Sequence, residues 1–240
     1  MEFINLVLVG PILEMFEYPA FFLEVVFGGL MSGVMYSLVA LGFVLIFKAS
    51  GVFNFAQGVF ALFAALTLVG LMTGTMPFSL DKVLPELPAW LAIIATFIVM
   101  VGLAIAVERI VLRPLVNQDH IIMFMSTIGL AFVLEGLGDT IWGSEVKALD
   151  VGIPSGNFMI GEIQIQIFDL WAAGIAAFLV IVLAVFFQST RTGRALRAVA
   201  DDHQAALSVG IPLKNIWIIV WSVAGLVALV AGIMWGSKSG

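Results

Sequence analysis

Two pairs of polar side chains interrupt apolar stretches of the sequence at helical spacing. Asn54 and Gln57 are three residues apart in KASGVFNFAQGVF (residues 48–60), and Glu135 and Asp139 are four apart in MSTIGLAFVLEGLGDTIW. On a helix each pair would share one face. Such amides and carboxylates can line a path for a polar solute, hydrogen-bond a neighbouring helix, or reach headgroups near a helix end. The first of these uses, binding and passage of a solute, is the functional one, and the other two are structural.

Residues for covalent or metal chemistry are scarce. The chain has no cysteine, only His120 and His203 as histidines, and no G-x-x-x-x-G-K-[ST] phosphate-binding loop. No His, Cys or paired-acid set falls at one depth, so we expect a non-catalytic protein without cofactor or metal. Nothing in the sequence predicts binding to nucleic acid.

The composition identifies the elements that must position these polar residues. Of 240 residues, 62% are hydrophobic and 11% are charged, whereas soluble domains carry roughly a quarter charged residues. Several apolar runs have the length that a helix needs to cross about 30 Å of hydrocarbon. We therefore predict an all-α fold, a single transmembrane helix bundle. Its predicted spans are at about 23–47, 52–72, 90–107, 120–142, 168–187 and 214–236.

Positive charges orient these spans, because Lys and Arg near span ends stay on the cytoplasmic side. With the N-terminus outside, seven basic residues are cytoplasmic and three are not, which favours this orientation. The cytoplasmic set is Lys48, Arg109, Arg113, Arg191, Arg194, Arg197 and Lys214, and the outer set is Lys82, Lys147 and Lys238. The alternating IGEIQIQIF within 143–167 predicts a small β-hairpin or surface loop on the outer side.

Small residues recur every four positions in the first and last predicted spans. The two series are Gly29, Gly33 and Ser37, and Ala224, Ala228, Gly232 and Gly236. Such spacing puts each series on one helix face, where two backbones can approach closely. We expect these faces to pack helices together, either within the chain or between two chains.

The segment QSTRTGRALRAVADDHQAALSVGIPLKN (residues 188–215) is long for a connection between two helices. Its apolar residues recur at helical spacing, and Gly210 followed by Pro212 is a helix-stop signal. We predict a pair of short amphipathic helices on the cytoplasmic face. The arginines of this segment would lie at the membrane edge, where they contact anionic headgroups or only fix the topology.

This segment resembles the cytoplasmic coupling loop of ABC importer permeases, which is built around Glu-Ala-Ala with a glycine a few residues later. Gln204, Ala205, Ala206 and Gly210 match the pattern, with Gln204 in place of the usual acid. Three further blocks, GGLMSGVMYSLVALGFVLIFKASGVFNFAQGVFALFAA, ERIVLRPL and MSTIGLAFVLEGL, are similar, in this order, to the permeases of high-affinity branched-chain amino acid importers. Together these blocks extend over nearly the whole chain.

The resemblance implies a permease subunit in the bacterial inner membrane that forms the path for branched-chain or related aliphatic amino acids. Its implied partners are a homologous second permease, cytoplasmic ATP-binding subunits, a periplasmic substrate-binding protein and membrane lipid. Loop 188–213, including Arg194, would couple it to the ATPase, and further spans would follow residue 240. Asn54, Gln57 and Glu135 are the expected path residues, although the family usually has His at the position of Gln57 and an uncharged polar residue at that of Glu135.

Other functions stay open from the sequence. Permeases for urea or short-chain amides share the same blocks. An ion-coupled secondary transporter would favour broken helices with acids at mid-membrane and would not need a coupling loop. A membrane scaffold would not need amides within a span.

Overall fold

The computed structural model describes residues 7, 9–75, 85–115, 118–161, 163–201, 203–208, 210–211 and 213–239. Lys82 and Pro212, which entered the predictions of topology and of a helix stop, lie outside these residues. The α-helices are α1 (Gly10–Glu17), α2 (Pro19–Ser50), α3 (Gln57–Thr73), α4 (Ala89–Val107), α5 (His120–Trp142), α6 (Ile167–Ser189), α7 (Arg191–Asp201), α8 (His203–Ser208) and α9 (Leu213–Ser239). The predicted all-α helix bundle is confirmed.

Five helices are long and apolar enough to cross a membrane within the described part of the chain. They are α2, α4 with its continuation to Leu115, α5, α6 and α9. Helix α3 has 17 residues, or about 25 Å at 1.5 Å per residue, so it is shorter than the other five. It begins at Gln57, five residues after the predicted start of this run at 52, because residues 52–56 are not helical.

Helix α9 lies at the centre of the bundle, packed against α2, α3 and α4. Within its apolar stretch 61% of the residues are buried, compared with 22–28% in the other four long helices. A Cβ atom added at Gly232 would lie 2.3 Å from the carbonyl oxygen of Ala61 in α3. The two backbones are therefore in direct contact at Gly232.

The two series of small residues have different surroundings. In α9, Ala228 is fully buried and Gly232 contacts α3, so this series packs inside the chain. In α2, a Cβ atom at Gly29 or Gly33 would have nothing within 4 Å, and Ser37 is exposed. The α2 series thus forms an open face of the chain.

The predicted outer side carries a β-hairpin and an ion pair. Strands β1 (Asn157–Ile160) and β2 (Ile163–Gln166) pair antiparallel around Gly161, whose φ is 65°. The ammonium of Lys238 at the end of α9 lies 3.1 Å from the carboxylate of Asp169 at the start of α6. This ion pair joins the end of the central helix α9 to the start of α6.

The predicted cytoplasmic side is formed by the end of α4 and by α7. After Val107, α4 continues as one wide π-helical turn, Glu108–Leu112, and a short turn, Arg113–Leu115. The carboxylate of Glu108 is buried and accepts two hydrogen bonds from the guanidinium of Arg113, at 3.1 and 2.5 Å. Within the block ERIVLRPL, Glu108 therefore pairs with Arg113 and not with the adjacent Arg109.

Helix α7 lies across the ends of α2 and α6, as expected for an amphipathic segment. Leu196 and Val199 are buried against the bundle. The hydroxyl of Thr190 accepts a hydrogen bond from the N–H of Gly193 at 2.9 Å and so begins the helix. A Cβ atom at Gly193 would lie 2.4 Å from the Phe187 carbonyl oxygen, so only glycine allows this tight junction.

Candidate functional site

The connection from α2 to α3 turns back into the bundle. Helix α2 ends at Gly51, whose φ of 68° is the left-handed conformation typical of a helix C-cap. A Cβ atom at Gly42 would lie 2.0 Å from Nε2 of Gln57. Gly42 is eight residues before the end of α2 at Ser50, so the start of α3 lies about 12 Å along α2 from that end. Helix α3 therefore begins within the bundle and not at its edge.

The backbone of this connection finds its hydrogen-bond partners inside the protein. The N–H of Phe55 donates to the hydroxyl oxygen of Thr127 in α5 at 3.1 Å. The same hydroxyl lies 3.1 Å from the carbonyl oxygen of Phe53 and 2.8 Å from that of Phe124. Non-helical backbone at membrane depth is tolerated only where such partners are supplied. Thr127 is the side chain that supplies them here.

The two amides lie together at the start of α3. Nδ2 of Asn54 donates to Oε1 of Gln57 at 3.3 Å, and Nε2 of Gln57 donates to the carbonyl oxygen of Ala224 in α9 at 3.2 Å. The side chain of Asn54 also accepts a hydrogen bond from the N–H of Ala56 at 3.1 Å. Both amides are buried, with exposed fractions of 0% and 1%.

The expectation that these amides share a helix face is wrong, because Asn54 precedes α3 and only Gln57 is helical. They meet through the turn that begins the helix. Their hydrogen bonds join α3 to α9, while Gly42 leaves room for the Gln57 side chain beside α2. This arrangement fits the alternative in which the amides join helices, and contact with a solute stays a prediction.

A cavity of about 510 Å³ lies beside α3; we call it the outer cavity. One wall is a face of α3 that runs from Gly58 to Val69. The opposite wall includes Gly232 and Trp235 of α9, and the connection after α5 closes the outer end. The cavity thus extends from the first turn of α3 to the predicted outer surface.

The lining of the outer cavity is mostly apolar and has three charged side chains near its outer end. They are Asp139 at the end of α5 and Glu145 and Lys147 in the connection that follows. The cavity therefore offers apolar walls together with both signs of charge.

The acids predicted to share a face of α5 have different surroundings. Asp139 lines the outer cavity. Glu135, the expected path residue, is exposed next to Phe132 and Val133, which are 70% and 59% exposed, and it does not line the cavity. A path role for Glu135 stays a prediction, and Asp139 is the acid that the geometry places at a cavity.

The predicted coupling residues are divided between two helices: Arg194 is exposed in α7, and the others lie in and just after α8. Ala205 is exposed, Ala206 is buried, and the side chain of Gln204 lies outside the described part of the structure. Gly210 is exposed with a φ of 83°. The N–H of Ile211 donates to the Ala206 carbonyl oxygen at 3.0 Å and so closes the turn. Ala205 and Gly210 thus reach the surface, whereas Ala206 packs inward.

The sequence predicts that Ser126 and Thr127 hydrogen-bond their own helix or a neighbour, and Thr127 has partners in both. The role of Gly42 at the start of α3 was not predicted. Gly42 leaves the space that the Gln57 side chain occupies, and the hydroxyl of Thr127 bonds the backbone before α3. Both lie in unbroken apolar runs. Ser126 and Thr127 are adjacent, so their types alone do not tell which hydroxyl bonds a neighbouring segment.

Comparison with known proteins identifies related chains. The family model described as branched-chain amino acid transport system / permease component matches residues 25–240. The chain is 29% identical over 249 residues to the high-affinity branched-chain amino acid transport system permease protein LivH of Escherichia coli, covering 94% of this chain and 74% of LivH. It is 30% identical over 236 residues to the corresponding BraD of Pseudomonas aeruginosa, covering 91% of this chain and 72% of BraD.

A more distant relative comes from an archaeon. The probable branched-chain amino acid transport permease protein LivH of Methanocaldococcus jannaschii is 28% identical over 213 residues, which cover 85% of this chain and 63% of that protein. No solved structure matches the chain significantly.

Proposed function

Because this chain belongs to the family of permease components of branched-chain amino acid transport systems, and is a multi-pass inner-membrane protein, we propose that its outer cavity is part of the transport path. The transported solutes are branched-chain or related aliphatic amino acids. A periplasmic binding protein delivers them, cytoplasmic ATP-binding subunits drive transport, and a homologous second permease completes the path.

The outer cavity is the observation that carries this proposal. Its volume of about 510 Å³ is within the range of roughly 300–1,000 Å³ typical of small-molecule sites. Its apolar walls suit an aliphatic side chain. Asp139 and Lys147, which both line it, match the ammonium and carboxylate that every free amino acid carries.

The inner end of the cavity supports a coupling mechanism. Gly58 lines the cavity in the first turn of α3, directly after Gln57, which hydrogen-bonds α9. Helix α9 follows the coupling loop in the sequence and is the central helix of the bundle. A shift of α8 on ATPase closure would move α9. The hydrogen bond from Gln57 to Ala224 would transmit this movement to the inner end of the outer cavity. In this scheme Asn54 and Gln57 act at the inner limit of the path.

Filling the inner end of the cavity tests the path assignment. A Cβ atom at Gly58 would have nothing within 4 Å, so Gly58→Leu can begin its side chain without a clash and adds bulk to the cavity that Gly58 lines. We expect leucine uptake to fall about fivefold to 150-fold, from steric overlap of about 1–3 kcal/mol with the solute. Initial uptake rates of radiolabelled leucine, valine and urea in cells with matched membrane levels measure the effect.

The matched control is Gly129→Leu, since Gly129 also has open space around it, lies in α5 and does not line the cavity. Its uptake should equal that of the original chain. Normal leucine uptake by Gly58→Leu would refute the path assignment. Transport of urea without leucine by the original chain would favour the amide permease.

The coupling assignment is tested at Gly210. Gly210→Trp adds a bulky side chain to an exposed position, so we expect loss of both uptake and substrate-stimulated ATP hydrolysis while the permease stays in the membrane. Because φ is 83°, any replacement is strained by about 1–3 kcal/mol.

Gly210→Ala is the control, since alanine introduces the same backbone strain at this positive φ but adds only a methyl group. If Ala abolishes coupling as Trp does, the backbone conformation and not docking is responsible. If uptake and ATPase stimulation both persist in Gly210→Trp, this turn does not dock the ATPase. Co-purification of the original chain with an ATP-binding subunit and a second permease tests the partner assignment directly.

A further inference from the structure

A second cavity, of about 760 Å³, opens between α2 and α6 at the predicted cytoplasmic side; we call it the inner groove. Its two walls are the last third of α2 and the second half of α6, and α7 closes one end. It does not share any lining residue with the outer cavity.

The inner groove has an apolar end and a polar end. Towards the middle of the bundle its walls include Val44 and Val180, which are 49% and 48% exposed and so face the hydrocarbon of the membrane. At the ends of the helices its lining includes Lys48, Gln188 and Arg197. The apolar part therefore lies at the depth of the acyl chains, and the polar part at the depth of the headgroups, of the cytoplasmic leaflet.

The inner groove has two basic side chains without a salt bridge to the described residues. Lys48 and Arg197 are exposed, and neither forms a salt bridge with any residue in the described ranges. Asp201, one helical turn after Arg197, also lines the groove and does not pair with it. The described lining therefore has a net charge of +1, from two cations and one carboxylate.

We propose that the inner groove binds an anionic phospholipid of the cytoplasmic leaflet. One acyl chain lies between α2 and α6, and the phosphate contacts Lys48 and Arg197. Basic pockets between helices at this side of a membrane suit such headgroups, and a single negative headgroup charge complements the lining. The bound lipid would bridge α2, α6 and α7 and so hold α7, which leads into the coupling segment, against the bundle.

The test uses the full chain, isolated with the subunits that accompany it, in nanodiscs of equal parts phosphatidylglycerol and phosphatidylcholine. Lipid retained after delipidation is quantified by mass spectrometry. In Lys48→Gln/Arg197→Gln the affinity for phosphatidylglycerol should fall about thirtyfold, given the usual contribution of one basic residue near an anionic surface. Val44→Trp should lower retention of the same lipid without a change in charge.

Two controls separate this site from general surface charge. Arg109→Gln/Arg191→Gln removes two exposed cations from the same side of the protein but not from the groove, so retention should be unchanged. Asp201→Asn removes the only carboxylate in the described lining, so affinity for phosphatidylglycerol should rise about fivefold.

Three results would overturn the proposal. The first is equal loss of phosphatidylglycerol in the groove variant and the control variant. The second is displacement of the lipid by inorganic phosphate at millimolar concentration, which would mean an anion site without a lipid. The third is a groove covered by a partner subunit, seen as protection of Cys introduced at Val44 from a maleimide in the assembled complex with no bound lipid.

Discussion

Gly232→Ala is expected to unfold or disassemble the bundle at markedly lower temperature than the original chain. The added Cβ atom would lie 2.3 Å from the carbonyl oxygen of Ala61 and 3.3 Å from the backbone nitrogen of Ala65. Both are backbone atoms of α3, so relief requires α3 and α9 to separate. Such overpacking lowers the free energy of unfolding by about 1–3 kcal/mol or more. Thermal unfolding in detergent and the retained fraction of monodisperse protein measure the loss.

The same substitution at Gly102 is the matched control. Gly102 is within α4, and a Cβ atom there would have nothing within 4 Å. Ala in place of Gly in a helix favours the helix by about 1 kcal/mol, so Gly102→Ala should unfold at or above the original temperature. If both variants unfold alike, α3 and α9 do not approach as closely as the structure indicates.

The contact at Gly232 also shows how far the sequence could predict the packing. The spacing of Ala224, Ala228 and Gly232 correctly marks one face of α9, because van der Waals contact between backbones drives helix association in lipid. The same spacing at Gly29 and Gly33 marks a face where an added Cβ atom would have no described residue within 4 Å. Spacing alone identifies a surface that can pack but does not identify its partner.

Hydropathy predicts six apolar helices, and the described part of the structure has five long ones and the shorter α3. The start of α3 does not follow from hydropathy. Residues 52–56 read VFNFA, four apolar residues around one amide, so hydropathy alone does not separate them from the helix that follows. Gly51 in the left-handed conformation ends α2, and the hydroxyl of Thr127, from a helix more than 70 positions away, bonds the non-helical connection that follows. The predicted span at 52–72 could not include these contacts, so it began five residues too early.

Sequence patterns also did not determine which of the candidate site residues reach a cavity or the surface. Helical spacing grouped Glu135 with Asp139, yet only Asp139 lines the outer cavity, because the connection after α5 closes that cavity at its outer end. Similarly, the pattern in the coupling segment included Ala206, whose side chain packs into the core. A pattern selects a short list of residues, and neighbouring elements decide which of them reach a cavity or the surface.

Thr127→Val is expected to disturb the start of α3 more than its small change in shape suggests. Val keeps the size of Thr but removes the hydroxyl that accepts a hydrogen bond from the Phe55 N–H and lies 3.1 Å from the Phe53 carbonyl oxygen. The hydrocarbon of the membrane has no water to replace these bonds. A buried backbone group without a partner lowers the free energy of unfolding by about 1–3 kcal/mol.

We expect this loss to reach the transport path, because Phe55 lies two residues before Gln57, whose side chain bonds α9. Leucine uptake should fall with the unfolding temperature in Thr127→Val. Thr127→Ser keeps the hydroxyl and removes one methyl group, so it should retain most uptake and stability. If Ser is as damaging as Val, the methyl contact positions this connection. If both variants behave as the original chain does, the hydrogen bonds from α5 do not determine where α3 begins.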